Sequence, residues 1–295
     1  IDHVSEKKER EIHFNYRPFF ISLHFYMLIL YHFTKDSFFV KSFYSNNHFY
    51  YYGFIIIYMS TLKYFAKSCD PPGFATDEPD VEIIENEANI DPNRYYCKHC
   101  KIYVPIRASH CSKCKKCIIR RDHHCPWTDC CIGRDNHVVF FLFTSFDLFS
   151  QSIPCFEVIY NFFRYIFYSE DHHNLLLMVF ICIIAFIYLQ VIAASTFGTV
   201  KTYEMFIECV SGIIRNLTTW ERVRWSHITY LKDFPLGCSP FDKGLIGNIV
   251  EFLTMKKKKM KWEIKPPDIS LFSNELQRLK ENKENKAVDI TKPWH

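Results

Sequence analysis

At 295 residues, with 36 Lys and Arg against 32 Asp and Glu for a net charge of +4, the chain is long enough for one large or two small domains. Its mean hydropathy is slightly negative, which taken alone suits a soluble protein. That average misleads, because apolar and aromatic residues gather into blocks, charge gathers between them, and most of the 13 cysteines sit in one short stretch.

Residues 1–16 are charged and read as an exposed N-terminal tail. No signal peptide is legible, and the chain opens on Ile1 rather than Met, as expected of a sequence missing an N-terminal piece. Apolar blocks at Phe19–Phe33 and Phe49–Leu62 predict two membrane helices, 17–34 and 47–66, with Tyr and His at positions that tolerate the interface. In Ser68-Cys69-Asp70-Pro71-Pro72-Gly73 the prolines and glycine end helical structure just beyond the second block. An acidic linker follows, Asp77 to Asp91, within a connecting segment 67–93. The cysteine-rich stretch then occupies 94–136. A third span, 137–163, comes from the block Val138–Phe163. The fourth, 174–198, comes from Leu175–Phe197, where Gln190 is the sole large polar side chain in 23 residues. A polar C-terminal region, 199–252, and a charged tail, 253–295, complete the chain. In the tail, Lys256–Lys259 reads equally well as a solvated run or as a contact with anionic lipid worth about 1 kcal/mol per basic residue. Ser273–Lys286 alternates Glu and Lys around a few leucines, the pattern of a short exposed helix or a disordered end.

Basic residues set the orientation. Eleven Lys or Arg lie between 67 and 136, and Lys7, Lys8, Arg10 and Arg17 precede the first block, whereas the connection after the first block has only Lys35 and Lys41 and that after the third has Arg164. The positive-inside tendency puts both termini and the cysteine stretch in the cytosol. A reducing compartment favours metal or catalysis over disulfides for those thiols. The expected fold is therefore an α-helical integral membrane protein with four transmembrane helices. Its cytosolic cysteine-rich domain would be loops and short hairpins held by zinc, which supplies the folding energy that so small a module lacks.

Between Cys97 and Cys131 lie eight cysteines and four histidines. Cys97-x2-Cys100, His110-Cys111-x2-Cys114-x2-Cys117, His123-His124-Cys125 and Cys130-Cys131 offer more donors than two tetrahedral zinc ions take, since a C-x2-C turn brings both sulfurs to one ion. Cys125 follows Asp122, His123 and His124, and imidazole beside a thiol favours the thiolate. Spacing alone leaves Cys125 as either nucleophile or ligand.

Taken in order, Cys97-x2-Cys100, Pro105-x-Arg107-x2-His110-Cys111-x2-Cys114-x2-Cys117, Asp122-His123-His124-Cys125-Pro126-Trp127, Cys131-Ile132-Gly133, Asn136 and Phe140-Phe141 resemble the DHHC family of protein S-acyltransferases. Asp70-Pro71 with Gly73 is similar to that family's DPG motif, Thr218-Thr219-Trp220-Glu221 to its TTxE motif, and Asn248 to its C-terminal asparagine. The resemblance runs from the first membrane block to residue 252. It implies two structural zinc ions, one held by Cys97, Cys100, His110 and Cys117, the other by Cys111, Cys114, His124 and Cys131. It further implies that Cys125 is acylated by a long-chain acyl-CoA such as palmitoyl-CoA, that His123 is its base, and that Asp122 orients His123. The acyl group then passes to cysteines of substrate proteins at the cytosolic face of an endomembrane, Golgi or ER. Thr218, Thr219, Glu221 and Asn248 would support the site, and Lys101 and Arg107 are candidates for contacts to CoA, with Arg120 and Arg121 also available. Expected partners are thus acyl-CoA, substrate proteins and membrane lipid, with no nucleic acid. The alternative is a membrane-anchored zinc module that binds partners without catalysis.

The chain departs from that family's pattern at two places. Cys130 stands where Asn is usual, so Cys131 is the ligand in register and Cys130 its alternative. Val104 stands before Pro105 where a basic residue is common. Asp171-His172-His173-Asn174 repeats three letters of the motif without a thiol and reads as polar loop. Asp147 and Glu157 sit in the third block, where an ionised carboxylate needs a partner.

Overall fold

The computed structural model describes residues 17–35, 48–77, 94–168, 175–232, 234–256, 262 and 264. The linker 78–93, the Asp171–Asn174 loop, Lys257–Lys259, the Ser273–Lys286 segment and the side chain of Glu157 lie outside the described residues.

Four long helices, α1 (Arg17–Lys35), α2 (His48–Ser68), α3 (His137–Tyr168) and α4 (Leu175–Arg215), carry the apolar blocks. Pro18 is tolerated at the second position of α1 because the first-turn N–H groups have no intrahelical partner. Helix α3 packs against both α2 and α4. Helix α4 continues to Arg215, well beyond the apolar block ending at Phe197. Among the described residues no helix is long and apolar enough to cross a membrane.

Inside the bundle the carboxylate of Asp147 is buried and paired. Its Oδ1 lies 2.7 Å from His24 Nε2 and its Oδ2 accepts from the Thr202 hydroxyl at 2.8 Å, tying α1, α3 and α4 together. A buried acid needs such partners, because an unpaired charge there is costly.

Between α2 and α3 the chain forms three antiparallel hairpins of three- and four-residue strands. They are β1–β2 (Arg94–Cys97, Ile102–Pro105), β3–β4 (Ser109–Cys111, Lys116–Ile118) and β5–β6 (His123–Cys125, Cys130–Ile132). Strands this short do not hold a two-stranded sheet by themselves. Residues from outside the module fill in around them. Ala75, Val104, Ile106, Ile119, Phe241 and Trp262 form one apolar cluster, and Phe20, Phe65, Cys125, Ile132, Phe140 and Phe143 form another between hairpin and helices.

The link from α2 into the module is fixed by backbone. Gly73, at φ 90°, passes its carbonyl to Ile119 N–H, and Pro72 passes its carbonyl to Asp135 N–H. A Cβ at Gly133 would lie 2.6 Å from the Ile118 side chain and 2.7 Å from the Pro72 carbonyl, so only glycine fits there. Asn136 closes the junction, its Nδ2 donating to the carbonyls of Ser68, Asp70 and Cys131 at 2.9–3.1 Å. After α4 come the short α5 (Thr219–Val223) and α6 (Gly244–Thr254). Asn248 pins α6 to the end of α4, donating to Ile214 O and Asp242 Oδ1 at 2.7 Å each.

Candidate active site and metal centres

Strand alternation sorts the ligands. Neighbouring side chains of a strand point to opposite faces, so His110 and Cys111 cannot serve one ion, and neither can His124 and Cys125. His110 pairs across its ladder with Cys117, and His124 pairs across its ladder with Cys131. The outcome is two interleaved groups. Cys97, Cys100, His110 and Cys117 form one, Cys111, Cys114, His124 and Cys131 the other, each with its four donor atoms within 4.8 Å of one another.

Both groups are built alike. Cys100 N–H points to Cys97 Sγ at 3.5 Å and Cys114 N–H to Cys111 Sγ at 3.4 Å, and the residue after each second cysteine, Lys101 or Lys115, has positive φ. Zn–S bonds of about 2.3 Å and Zn–N bonds of about 2.0–2.1 Å set tetrahedral ligand atoms about 3.5–3.8 Å apart. In the first group the three sulfurs lie 3.3–3.9 Å from His110 Nδ1, and Cys117 lies 3.6 Å from Cys100. In the second they lie 3.4–3.8 Å from His124 Nδ1, with Cys114 3.5 Å from Cys131. Three thiolates and one imidazole at these separations suit zinc in closed four-ligand spheres. The donor at the adjacent-cysteine position is Cys131. Cys130 turns away, its thiol donating to Ser68 O and Thr128 Oγ1 at 3.3 Å each.

The same alternation sends His123 and Cys125 to the other face of β5, toward the helices. Asp122 is buried and fully used. Its Oδ2 accepts from His123 Nδ1 at 2.7 Å and from the Thr219 hydroxyl at 3.1 Å, and its Oδ1 accepts from Thr219 N–H at 2.7 Å. With Nδ1 so engaged, the other ring nitrogen is left for the Cys125 thiol, and the two groups favour each other's charged form. Burial alone would raise the Asp122 carboxyl. Against that, the neighbouring His137 and His123 and the Thr219 N–H hold it well below the ordinary carboxylate range. Burial opposes a charged His123, yet its bonds to Asp122 and Cys125 push it up to about 10. Burial likewise opposes a Cys125 thiolate, and His123 and Thr128 outweigh it to bring the thiol below its ordinary value. The site thus favours a thiolate–imidazolium pair, packed among Phe20, Phe65, Phe140 and Phe143.

Thr219 is positioned by the start of α5. Thr218 is the N-cap, its hydroxyl accepting from Glu221 N–H at 3.1 Å while Glu221 Oε2 accepts from Thr218 N–H at 2.8 Å, a complete capping box. Glu221 then forms a two-pronged pair with Arg107, Nε to Oε1 at 2.8 Å and Nη2 to Oε2 at 2.9 Å. Arg107 also donates to Asn216 Oδ1 and O at 3.0 Å and lies over Phe241 at 4.2 Å. The expectation that Arg107 meets CoA is corrected here, because its side chain is fully buried and its donors are committed to Glu221 and Asn216. Arg120 is buried as well, against His137, Asn216 and Met255. Lys101 is exposed at the β1–β2 turn. The basic groups beside Asp122 and His123 are Lys113 and Arg121, which line a cavity of about 280 Å³ with Trp220 and Thr219. Arg121 donates to His110 O at 2.8 Å and lies over the Trp220 ring.

Two four-donor groups suited to zinc thus stand beside an Asp122, His123 and Cys125 arrangement that faces the helices. Residues 90–226 match the model of the family described as DHHC palmitoyltransferase. The chain is 29% identical over 202 residues to a Dictyostelium discoideum protein named "Putative ZDHHC-type palmitoyltransferase 7". That match covers 68% of this chain and 42% of the relative, so the chain corresponds to less than half the relative's length.

Proposed function

We propose that the protein is an integral-membrane protein S-acyltransferase that takes a long-chain acyl group, palmitoyl first among them, from acyl-CoA onto Cys125 and passes it to cysteines of substrate proteins. The observation that carries this reading is the Asp122–His123–Cys125 relay, set off from the eight metal donors by the alternation of β5. The Cys125 thiolate attacks the thioester carbonyl, and CoA leaves as a thiol after taking a proton from the His123 imidazolium. A substrate thiol, giving its proton back to His123, then attacks the Cys125 thioester. One thioester replaces another, so no further energy source is required. Zinc, when bound by the two groups, holds the hairpins in register. Asp122 keeps His123 oriented with Nδ1 protonated, as the third member of a triad does.

Four membrane spans in α1–α4, with the module on the cytosolic side of an endomembrane, Golgi or ER, belong to this proposal. Supporting it are the apolar block Leu175–Phe197 and the outward-facing Phe25, Ile56, Phe149, Phe186 and Leu189, which lipid would cover. Helix α6 adds an exposed apolar stripe, Leu245, Ile246, Ile249, Val250 and Leu253, suited to lie on the interface. The aromatic cluster around Cys125 suits an acyl chain entering from the bilayer, and Lys113 and Arg121 suit CoA phosphates arriving from the cytosol.

The test is purified full-length chain in detergent with labelled palmitoyl-CoA. Hydroxylamine-sensitive label on wild type, absent from Cys125→Ser, is expected. Equal labelling of Cys125→Ser, or no labelling of zinc-loaded wild type, contradicts the proposal.

A further inference from the structure

Of the nine thiols near the hairpins, seven are accounted for by metal and by Cys125, and two are not. Seven cysteines are absorbed as six metal ligands and the relay thiol in 97–131; Cys130 there, and Cys69 at the end of α2, have no role in either. They meet each other. The Cys130 thiol donates to Ser68 O at 3.3 Å, the residue beside Cys69, and the Cys69 thiol points to Thr128 O at 3.7 Å, two residues before Cys130. Each thiol thus reaches the backbone flanking the other cysteine, 61 positions apart in sequence. Both are half-buried, whereas Cys125 is 1% exposed.

We propose that Cys69 and Cys130 form a peroxide-responsive disulfide site, in which Cys69 is the attacking thiol and Cys130 the resolving one. Thiols that each rest on the backbone beside the other have a short approach to the S–S bond length of about 2.05 Å. Hydrogen peroxide is the oxidant. The Cys69 thiolate attacks one peroxide oxygen, the O–O bond breaks, and hydroxide leaves, giving a sulfenic acid. Cys130 sulfur attacks that sulfur, the S–O bond breaks, and the hydroxide lost takes the Cys130 proton as water. Two thiols lose two electrons, and one peroxide becomes two waters. Support for the order of attack comes from Cys69, whose thiol is lowered to about 7, first by its bond from Cys130 and then by Arg17. The six metal-ligand thiols are shielded when zinc is bound, and Cys125 is the more deeply covered. The bond would tie the end of α2 to β6, beside the ligand Cys131. This inference does not rest on acyl transfer by Cys125.

The experiment is peptide mapping by mass spectrometry, without reductant, of the full-length zinc-loaded chain in nanodiscs after titration with hydrogen peroxide, with bound zinc measured in parallel. A Cys69–Cys130 linked peptide that appears with zinc retained and vanishes on adding dithiothreitol is expected. Cys69→Ser and Cys69→Ala should each abolish it while leaving zinc content at the wild-type level. Cys130→Ser should instead leave Cys69 as a dimedone-reactive sulfenic acid. The proposal is overturned if the link joins Cys125 to Cys130, if it engages a metal ligand with matching zinc release, or if Cys69 and Cys130 both stay reduced while other thiols oxidise.

Discussion

Replacing Glu221 by Ala removes the two-pronged partner of the Arg107 guanidinium, with Glu251 then the nearest carboxylate at 3.8 Å. Arg107 is fully buried and spends Nε and Nη2 on the two carboxylate oxygens. Stripping one member from a buried pair costs about 3–5 kcal/mol, because the other charge loses its close, hydrogen-bonded partner. The same carboxylate accepts from Thr218 N–H and the Tyr230 hydroxyl, so losing these bonds adds about 1 kcal/mol. A total near 4–6 kcal/mol is a large part of the roughly 5–15 kcal/mol that holds a typical domain. Denaturant titration in one fixed micelle, followed by tryptophan fluorescence, reads the difference. Thr218→Ala, which removes only the cap hydroxyl, should cost about 1 kcal/mol. The double variant Arg107→Met with Glu221→Leu should recover much of the loss, since apolar replacement of both partners is often close to neutral. A Glu221→Ala chain within about 1 kcal/mol of wild type would refute the reasoning.

Other outcomes follow from the same geometry. The Glu221 carboxyl, which burial would raise, is held below its ordinary value by Arg107 and by its hydrogen bonds. A group with depressed folded pKa stabilises above its unfolded value, about 4.3, and that contribution fades as pH falls through the lower folded value. The stability gap between wild type and Glu221→Gln should therefore be constant near neutrality and shrink on acidification below about pH 4; a gap that widens in acid contradicts it. Asp122→Asn should keep the fold yet slow acylation of Cys125 by roughly 10²–10⁴-fold, the usual worth of a working base. Thr219→Val, which keeps the backbone N–H to Asp122 and loses only the hydroxyl, should fall between that variant and wild type. Removing zinc with a chelator should unfold both knuckles and abolish acylation together, and restoring zinc should return both, since metal binding is folding energy in so small a module. Cys114→Ala should bind one zinc fewer than wild type, with the Cys97 group retained.

What the sequence made legible follows the range of the interactions. The C-x2-C pairs are local, so spacing alone marks the pool of candidate donors, Cys125 among them. Their division between two ions needed either the family resemblance or the hairpin registers, because only the pairing His110 with Cys117 and His124 with Cys131 shows which neighbours face apart. Asp122 and His123 are adjacent and were equally visible. The bond between Asp122 and Thr219 spans 97 positions and that between Arg107 and Glu221 spans 114, and nothing local announces either. Arg107, a candidate for CoA by its sequence, is therefore a buried anchor. The Asp147 carboxylate called for a partner, but that the partners are His24 and Thr202 depends on how three helices pack. Thr128 beside Cys125 and the meeting of Cys69 with Cys130 likewise arise from the loop that closes β5–β6 onto α2.

The most direct measurement is peptide mapping of the trapped acyl-enzyme after brief exposure of zinc-loaded chain to palmitoyl-CoA. The relay predicts one hydroxylamine-labile acyl group on Cys125, forming far more slowly in Asp122→Asn and not at all in Cys125→Ser. An acyl group found instead on Cys69, Cys130 or Cys209, with Cys125 unmodified, would contradict the account.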